Sequence, residues 1–248
     1  DQEHASSDTN GRARIQFNAK VNDRTEAVAR IKGAYTFGDA NGSTAVSLDR
    51  AYVNHKFGER VSAKAGRFGQ TFGSGLAYDS TFDGAQFNAG NDKVAFQAAY
   101  GYLTSSNVKT TAGAVDKDAN AEVVYLGLNG KVGKHADVGG FYARFNDSKA
   151  LGVAATDGGS AKYNVYKNVY GFNANTNFDK VWVGGEWVKA SNVKDSTAWT
   201  AGVGYGDYSI AKKGSWDVKG QYFNAKENAP VFDSTWNHKY IQNAKGWM

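Results

Sequence analysis

The sequence predicts an all-β protein whose strands form an antiparallel up-and-down β-barrel that crosses a membrane. Two observations predict this fold: segments of about ten residues with alternating polar and apolar residues, and connections that are alternately short and long. A period of two places neighbouring side chains on opposite faces of a strand. In the first segment Arg14 and Lys20 share one face, and Ile15 and Phe17 share the other. About ten residues is also the length that a tilted strand needs to cross a bilayer.

Twelve such segments follow one another along the chain. They are 12–22, 26–37, 46–57, 60–68, 84–90, 93–103, 121–132, 136–146, 164–178, 180–190, 197–206 and 215–225. Tight turns such as Asp23-Arg24 alternate with long links at 38–45, 69–83, 104–120, 147–163, 191–196 and 226–245. The link 207–214 is the exception, because it is longer than the short turn expected there. Outer-membrane barrels have this two-sided pattern, with short periplasmic turns and long external loops.

The order of the links predicts a barrel that continues beyond this sequence. The first strand of such a barrel is expected to lead into a long loop, whereas segment 12–22 leads into a tight turn. One earlier strand is therefore expected, and a descending strand is expected to start at Gly246-Trp247-Met248. Because strand edges exposed to lipid must be paired, the barrel has to close. The twelve visible strands, with one more strand at each end, give at least about 14 strands, which is within the range of bacterial barrels. A closed barrel of the twelve visible strands remains the alternative, and residues 1–248 are interpreted as one partial barrel domain.

Composition excludes several other classes of protein. The chain of 248 residues has 14% aromatic residues, no cysteine and a net charge of +5. No apolar run reaches the roughly 18 residues that a transmembrane helix needs. The basic residues lie at alternate strand positions instead of in a tail or a helical stripe, so we do not expect nucleic acid as a partner. No catalytic, cofactor-binding or metal-binding motif stands out, and the sequence predicts no enzyme.

The face opposite the apolar one carries regularly spaced cations. In a wide barrel the side chains do not fill the lumen, which then holds water. The predicted pore-lining cations of the first four segments are Arg14, Arg30, Lys32, Arg50 and Lys64, joined by Arg67 just after Gly66.

The long link 69–83 is predicted to form a constriction. With the earlier strand counted it is the third outer loop, and in general diffusion porins the third loop folds inward. Its glycines permit sharp bends, and Phe72, Leu76 and Tyr78 are expected to anchor it to the wall. Asp79 and Asp83 are expected to face the cations across the pore. Opposed charges of this kind create a transverse field that favours polar solutes.

Four segments resemble the OmpM-type porins of diderm relatives of Gram-positive bacteria. They are RARIQFNAKVND at 12–23, EAVARIKGAYTFG at 26–38, LDRAYVNHKFG at 48–58 and KAGRFGQTFGSGLAYDSTFDGAQ at 64–86. The resemblance implies a trimeric porin of 16 strands, with one strand before Asp1 and three after Met248. It also implies a preceding S-layer-homology domain that tethers the outer membrane to a peptidoglycan-linked polymer of the cell wall.

The expected function is passive diffusion of small hydrophilic solutes and ions through a water-filled barrel in the bacterial outer membrane. The expected neighbours are membrane lipid and lipopolysaccharide, and the expected assembly is a homotrimer. Two alternatives remain open. The barrel could be mainly a structural or adhesive anchor in the outer membrane, or the chain could be a soluble β-rich carbohydrate-binding module.

Overall fold

The computed structural model describes residues 9–38, 45–104, 121–146, 152–157, 160–191, 193–235 and 242–248. Fifteen strands lie in these residues. They are β1 (Asn10–Asn22), β2 (Thr25–Thr36), β3 (Ala45–Lys56), β4 (Val61–Thr71), β5 (Asp79–Gly90), β6 (Val94–Leu103), β7 (Ala121–Val132), β8 (Ala136–Phe145), β9 (Gly152–Asp157), β10 (Ser160–Val165), β11 (Asn168–Phe178), β12 (Val181–Ala190), β13 (Thr197–Gly206), β14 (Asp217–Ala225) and β15 (Ala244–Trp247).

Thirteen of these strands form one antiparallel sheet in chain order, and β9 pairs with β10 in a separate hairpin. The predicted all-β, up-and-down architecture is confirmed. Short links and long links alternate, so the sheet has a turn end and a loop end. In the described part of the chain, β1 and β15 are edges that do not pair with each other, and the sheet is open. No helix of the described residues is long and apolar enough to span a membrane.

Three strand assignments from the sequence need correction. β4 continues to Thr71 and β5 begins at Asp79, so the link between them shrinks to 72–78. The glycines there lower β propensity, but cross-strand pairs such as Phe68 and Phe82, with ring centroids 5.4 Å apart, hold the strands together. The link predicted at 147–163 contains β9 and most of β10, and β11 begins four residues later than predicted, at Asn168. β15 is the descending strand expected at the end of the chain, and it pairs with β14.

One face of the sheet, the outer face, is apolar and exposed along most strands. Phe17 on β1 is 57% exposed, Leu128 on β7 54% and Phe172 on β11 62%. Aromatic pairs lie near the strand ends of this face, as with Trp199 and Tyr222, whose centroids are 5.5 Å apart. Soluble monomers rarely expose so wide an apolar surface, whereas an apolar band between aromatic girdles is typical of barrels in lipid.

The opposite face, the inner face, has two halves. Near the loop end it is buried, and its apolar side chains include Phe68, Phe82, Leu103, Val123, Tyr125, Phe145, Val169, Val188 and Phe223. Toward the turn end it carries amides and cations, among them Asn88, Asn129, Asn175 and Lys219. The core of the molecule is therefore on the inner face at the loop end, where other segments cover the sheet.

Candidate pore constriction

The hairpin of β4 and β5 bends onto the inner face. Gly66 has a φ of 122°, and a Cβ there would overlap the carbonyl oxygen of Ala51 on β3. Glycine therefore allows β4 to leave β3 at this point. The pairing of β3 with β4 ends at Arg67, whereas β4 and β5 remain paired as far as Thr71 and Asp79.

A chain of side-chain amides holds the base of the hairpin against the wall. Gln70 on β4 is 1% exposed and donates a hydrogen bond of 2.6 Å to Gln97 on β6. Its oxygen accepts one of 3.0 Å from Gln86 on β5, and Gln97 in turn donates to Asn88 at 3.1 Å. These bonds give partners to amide groups that would be costly to bury alone, although the Gln86 oxygen has no hydrogen-bond partner among the described residues.

The tip of the hairpin, residues 72–78, crosses the inner face to strands well beyond β6. Phe72, Leu76 and Tyr78 are at most 1% exposed. The Phe72 ring lies 4.6 Å from Tyr125 on β7 and 5.7 Å from Phe141 on β8. Burying each such side chain stabilises the packed tip by about 1.5–3 kcal/mol. Phe72 thus packs against the wall, on the face that the sequence assigned to the lumen, and Leu76 and Tyr78 are buried in the same layer.

A buried carboxylate on β12 fixes the tip from the far side. Glu186 is 4% exposed, and it accepts hydrogen bonds of 2.9 Å from the backbone N–H groups of Ser74 and Leu76. Gly73 has a φ of 57°, and a Cβ there would overlap Glu186 Oε1. The glycine therefore permits both the bend and the close approach of the carboxylate. Glu186 was not among the residues predicted from the sequence.

A second segment, residues 226–235 between β14 and β15, covers the tip. Four backbone hydrogen bonds join this segment to the tip and to the start of β5. The Phe232 and Asp233 N–H groups donate to the Ala77 carbonyl at 2.8 and 3.4 Å, Asp79 N–H donates to the Asp233 carbonyl at 2.7 Å, and Thr235 N–H donates to the Gly75 carbonyl at 3.0 Å. The two segments form one layer on the inner face. The sequence predicted the link 226–245 without indicating that it turns inward.

Aromatic residues anchor this covering segment in turn. The Tyr166 hydroxyl donates to the Asn228 and Ala229 carbonyl oxygens at 2.7 and 3.2 Å. The Phe232 ring lies 5.3 Å from Tyr166 and 5.5 Å from Phe145. Burial raises the pKa of the Tyr166 phenol above its ordinary value.

Three of the predicted cations converge on an aspartate that was not predicted. Arg30 donates from Nε to Asp49 Oδ2 at 2.7 Å, and its terminal nitrogen lies 2.5 Å from the same oxygen. Arg14 and Arg50 approach the Asp49 carboxylate at 3.7 and 3.6 Å. A bulge explains the arrangement, because Arg30 pairs with Arg50 and Ile31 with Leu48, which leaves Asp49 as the extra residue of β3.

The predicted carboxylates occupy different positions from those expected. Asp83 lies in β5 and accepts two hydrogen bonds from Arg67, at 2.7 and 2.6 Å, so it pairs within its own hairpin instead of facing β1–β3 across a gap. Asp79 lies at the exposed start of β5 and accepts from the Thr71 hydroxyl at 2.8 Å. Two side-chain hydrogen bonds join the hairpin to β3: Arg50 donates to the Thr81 hydroxyl at 3.0 Å, and Arg67 donates to the Leu48 carbonyl oxygen at 3.3 Å. The carboxylate among the arginines of β1–β3 is therefore Asp49.

The two predicted lysines differ in environment. Lys32 is partly buried on the inner face, where it stands opposite Arg14 in the register of β1 and β2 and has no aromatic ring contact among the described residues. Lys64 is half-buried, and its ammonium lies 4.5 Å from the centroid of Phe68 and 5.9 Å from that of Tyr52. Lys64 thus packs against the base of the hairpin by cation–π contact.

A cavity of about 810 Å³ extends from the underside of the tip to the turn end. Its polar and charged lining residues include Arg24, Lys56, Glu59, Arg60, Thr71, Asn88, Gln97 and Asn129. A polar space therefore lies between the hairpin and the turn end of the sheet.

No protein-family model and no curated protein matches this sequence. Among solved structures the chain is similar to Salmonella typhi OmpF in complex with daunomycin, at 12% identity over 90% of this chain and 85% of that one, with a TM-score of 0.49. It is similar to a loop-deletion mutant of OmpT, an outer membrane protein of Vibrio cholerae, at 15% identity over 88% and 82%, with a TM-score of 0.48. It is also similar to a mutant of Rh. blastica porin, at 14% identity over 87% and 85%, with a TM-score of 0.46. These identities and TM-scores are low, so the structural similarity is weak.

Proposed function

We propose that the chain forms the wall and the constriction of a diffusion pore in a bacterial outer membrane. The observation that supports this proposal is the contrast between the two faces of the sheet. The outer face exposes large apolar side chains such as Phe17, Leu128 and Phe172, which are unfavourable in water and favourable in lipid. The inner face carries charges, amides and an inward-folded hairpin, which suit a lumen filled with water.

We propose that further strands complete the barrel. An unpaired strand edge leaves backbone polar groups unsatisfied in lipid, and closure removes that cost. The edges at β1 and β15 are therefore expected to be paired in the membrane. The resemblance to OmpM-type porins supports a total of 16 strands, a homotrimer, contact with lipopolysaccharide, and a tethering domain that binds a wall polymer outside this sequence.

Permeation would follow from the charges at the constriction. Arg14, Arg30, Lys32 and Arg50 give one side of the lumen a positive potential, which Asp49 offsets in part. The hairpin tip narrows the passage from the other side. A polar solute with its own dipole or charge replaces the water ordered by this field, whereas an apolar solute cannot. Small hydrophilic solutes and ions are therefore the proposed cargo.

A second candidate function is that of a structural anchor without conductance. The segment 226–235 supports this candidate, because it covers the tip and adds a second layer to the inner face. Such a barrel would hold the envelope together without passing solutes.

Conductance distinguishes the two functions. The full-length protein, extracted from outer membranes in detergent, is inserted into planar bilayers and into liposomes that contain an osmotically active sugar. A diffusion pore gives stepwise ohmic conductance and sugar-dependent swelling. Insertion without conductance supports the anchor, and recovery as a soluble monomer without detergent contradicts both.

A further inference from the structure

The outer face carries an apolar groove that ends beside an arginine. The groove has a volume of about 640 Å³ and crosses four neighbouring strands, β6, β7, β8 and β11. Its outward-facing lining residues are Val94, Phe96, Leu126, Leu128, Gly130, Val138, Gly140, Tyr142 and Phe172. Two glycines make the depression, because Gly130 lies between Val94 and Val138, and Gly140 lies between Leu128 and Phe172.

The strand register places the groove and the arginine in successive rows. From the turn end to the loop end, the rows across β6, β7, β8 and β11 are Val94–Gly130–Val138–Ala174, Phe96–Leu128–Gly140–Phe172, Ala98–Leu126–Tyr142–Tyr170 and Tyr100–Val124–Arg144–Asn168. Arg144 is exposed on this face. Among the described residues no carboxylate forms an ion pair with its guanidinium.

A polar hollow lies at the loop end of the groove. Its volume is about 270 Å³, and its lining includes Tyr100, Glu122, Arg144 and Asn146. The Glu122 carboxylate accepts a hydrogen bond of 2.7 Å from the Tyr100 hydroxyl. The hollow thus presents guanidinium donors for an anion at the loop end of a predominantly apolar groove.

The length of the groove matches one leaflet of a bilayer. Val138 and Arg144 are six residues apart on β8, which corresponds to roughly 20 Å along a strand at about 3.4 Å per residue. A strand tilt of about 45° reduces this to roughly 14 Å along the membrane normal, close to half of the ~30 Å hydrocarbon core. An acyl chain in the groove would therefore bring its headgroup to the level of Arg144.

We propose that this groove binds one lipid of the outer leaflet whose phosphate-bearing headgroup has a net negative charge, with an acyl chain between Phe96, Leu128 and Phe172 and the phosphate at Arg144. The proposal rests on the membrane location of the barrel but not on its conductance. The rival occupant is a second copy of the chain, which would bury the groove at a subunit contact.

Native mass spectrometry of the full-length protein tests the site. The protein is delipidated in detergent, incubated with dimyristoyl phosphatidylglycerol or dimyristoyl phosphatidylcholine, and examined for retained lipid. We expect the anionic lipid to be retained in preference, and Arg144→Gln to lower its retention about fivefold, as expected for one cation near a membrane surface. The matched control is Lys189→Gln, an outward-facing cation at the loop end of β12, outside the groove, which should leave retention unchanged.

A second variant tests the groove itself. Gly130→Leu fills the groove without strain, because a Cβ at Gly130 would meet only the Lys93 carbonyl oxygen, at 3.8 Å. We expect this variant to lower the retention of both lipids, with the oligomeric state and the conductance unchanged. Equal retention by the wild type and both variants overturns the lipid site while leaving the pore intact. Dissociation of the oligomer by Gly130→Leu also overturns it, because the groove is then a subunit contact.

Discussion

Glu186 on β12 accepts a hydrogen bond of 2.9 Å from the backbone N–H of Leu76, across the inner face of the sheet. The two residues belong to elements far apart in the chain, and the same carboxylate also binds the N–H of Ser74. The tip of the β4–β5 hairpin is thus fixed at its far end as well as at its base. A constriction in a water-filled lumen needs such a fixed position, because a free tip would not set a constant size limit.

Replacement of Glu186 tests this attachment. Glu186→Ala leaves the buried N–H of Leu76 without an acceptor, at a cost of roughly 1–3 kcal/mol, and also removes the acceptor of the more exposed Ser74 N–H, so the tip should detach more often. We expect increased open-channel noise and faster proteolytic cleavage within residues 72–78. Glu186→Gln retains one acceptor and should show a smaller effect. Glu26→Gln, on the inner face of β2, is the control, and equal behaviour of Glu186→Ala and this control contradicts the attachment.

Asp49 and its arginines should set ion preference in opposite directions. Asp49→Asn removes the carboxylate among Arg14, Arg30 and Arg50, so the reversal potential in a salt gradient should shift toward anion preference. Combined Arg30→Glu and Arg50→Glu should shift it toward cation preference. Lys212→Gln, in the link between β13 and β14, is the control. An unchanged reversal potential in both pore variants means that this cluster does not lie at the narrow part of the lumen.

Tyr166 should make the covering segment sensitive to alkaline pH. The folded-state pKa of its phenol is raised by burial, so the phenol contributes stability below its ordinary pKa of about 10, and that contribution is lost as the pH rises above it. Tyr166→Phe removes two hydrogen bonds to the segment 226–235 and should lower the thermal midpoint at neutral pH. It should also reduce the loss of stability above pH 10, roughly the ordinary pKa.

Tyr208→Phe provides the comparison, because Tyr208 is 61% exposed in the link between β13 and β14. Its thermal midpoint should equal that of the wild type at every pH. If Tyr166→Phe and Tyr208→Phe give the same thermal midpoint and the same pH profile, Tyr166 does not hold the covering segment.

The strands were predictable because the period of two is a local property. Arg14, Ile15 and Phe17 already assign the two faces of β1, and the same reasoning applies to the other long strands. The alternation of links was likewise readable from turn residues such as Asp23-Arg24. These features depend on neighbouring residues alone, so the sequence contains them directly.

The position of the β4–β5 hairpin was predictable only in part, because it depends on contacts with residues far away in the sequence. Phe72, Leu76 and Tyr78 could be proposed as anchors from their apolar character in a glycine-rich link. The position of Asp49 could not be predicted from the sequence. Strict alternation puts its side chain on the outer face, whereas the bulge in β3 turns it to the inner face. Glu186 lay at an inner-face position of β12, but its partners are backbone groups more than a hundred residues away.

The measurement that tests the central claim most directly is the single-channel conductance of a protein without the hairpin tip. Thr71 and Asp79 are paired, so residues 72–78 can be replaced by an Asn-Gly turn that keeps the register of β4 and β5. The control replaces residues 207–216 in the same way, between the paired residues Gly206 and Asp217. We predict that the first variant assembles normally, conducts more and admits larger sugars, whereas the control conducts like the wild type. Normal assembly with unchanged conductance and sugar cutoff in the first variant would contradict the account, because the tip would then lie outside the path of the solutes.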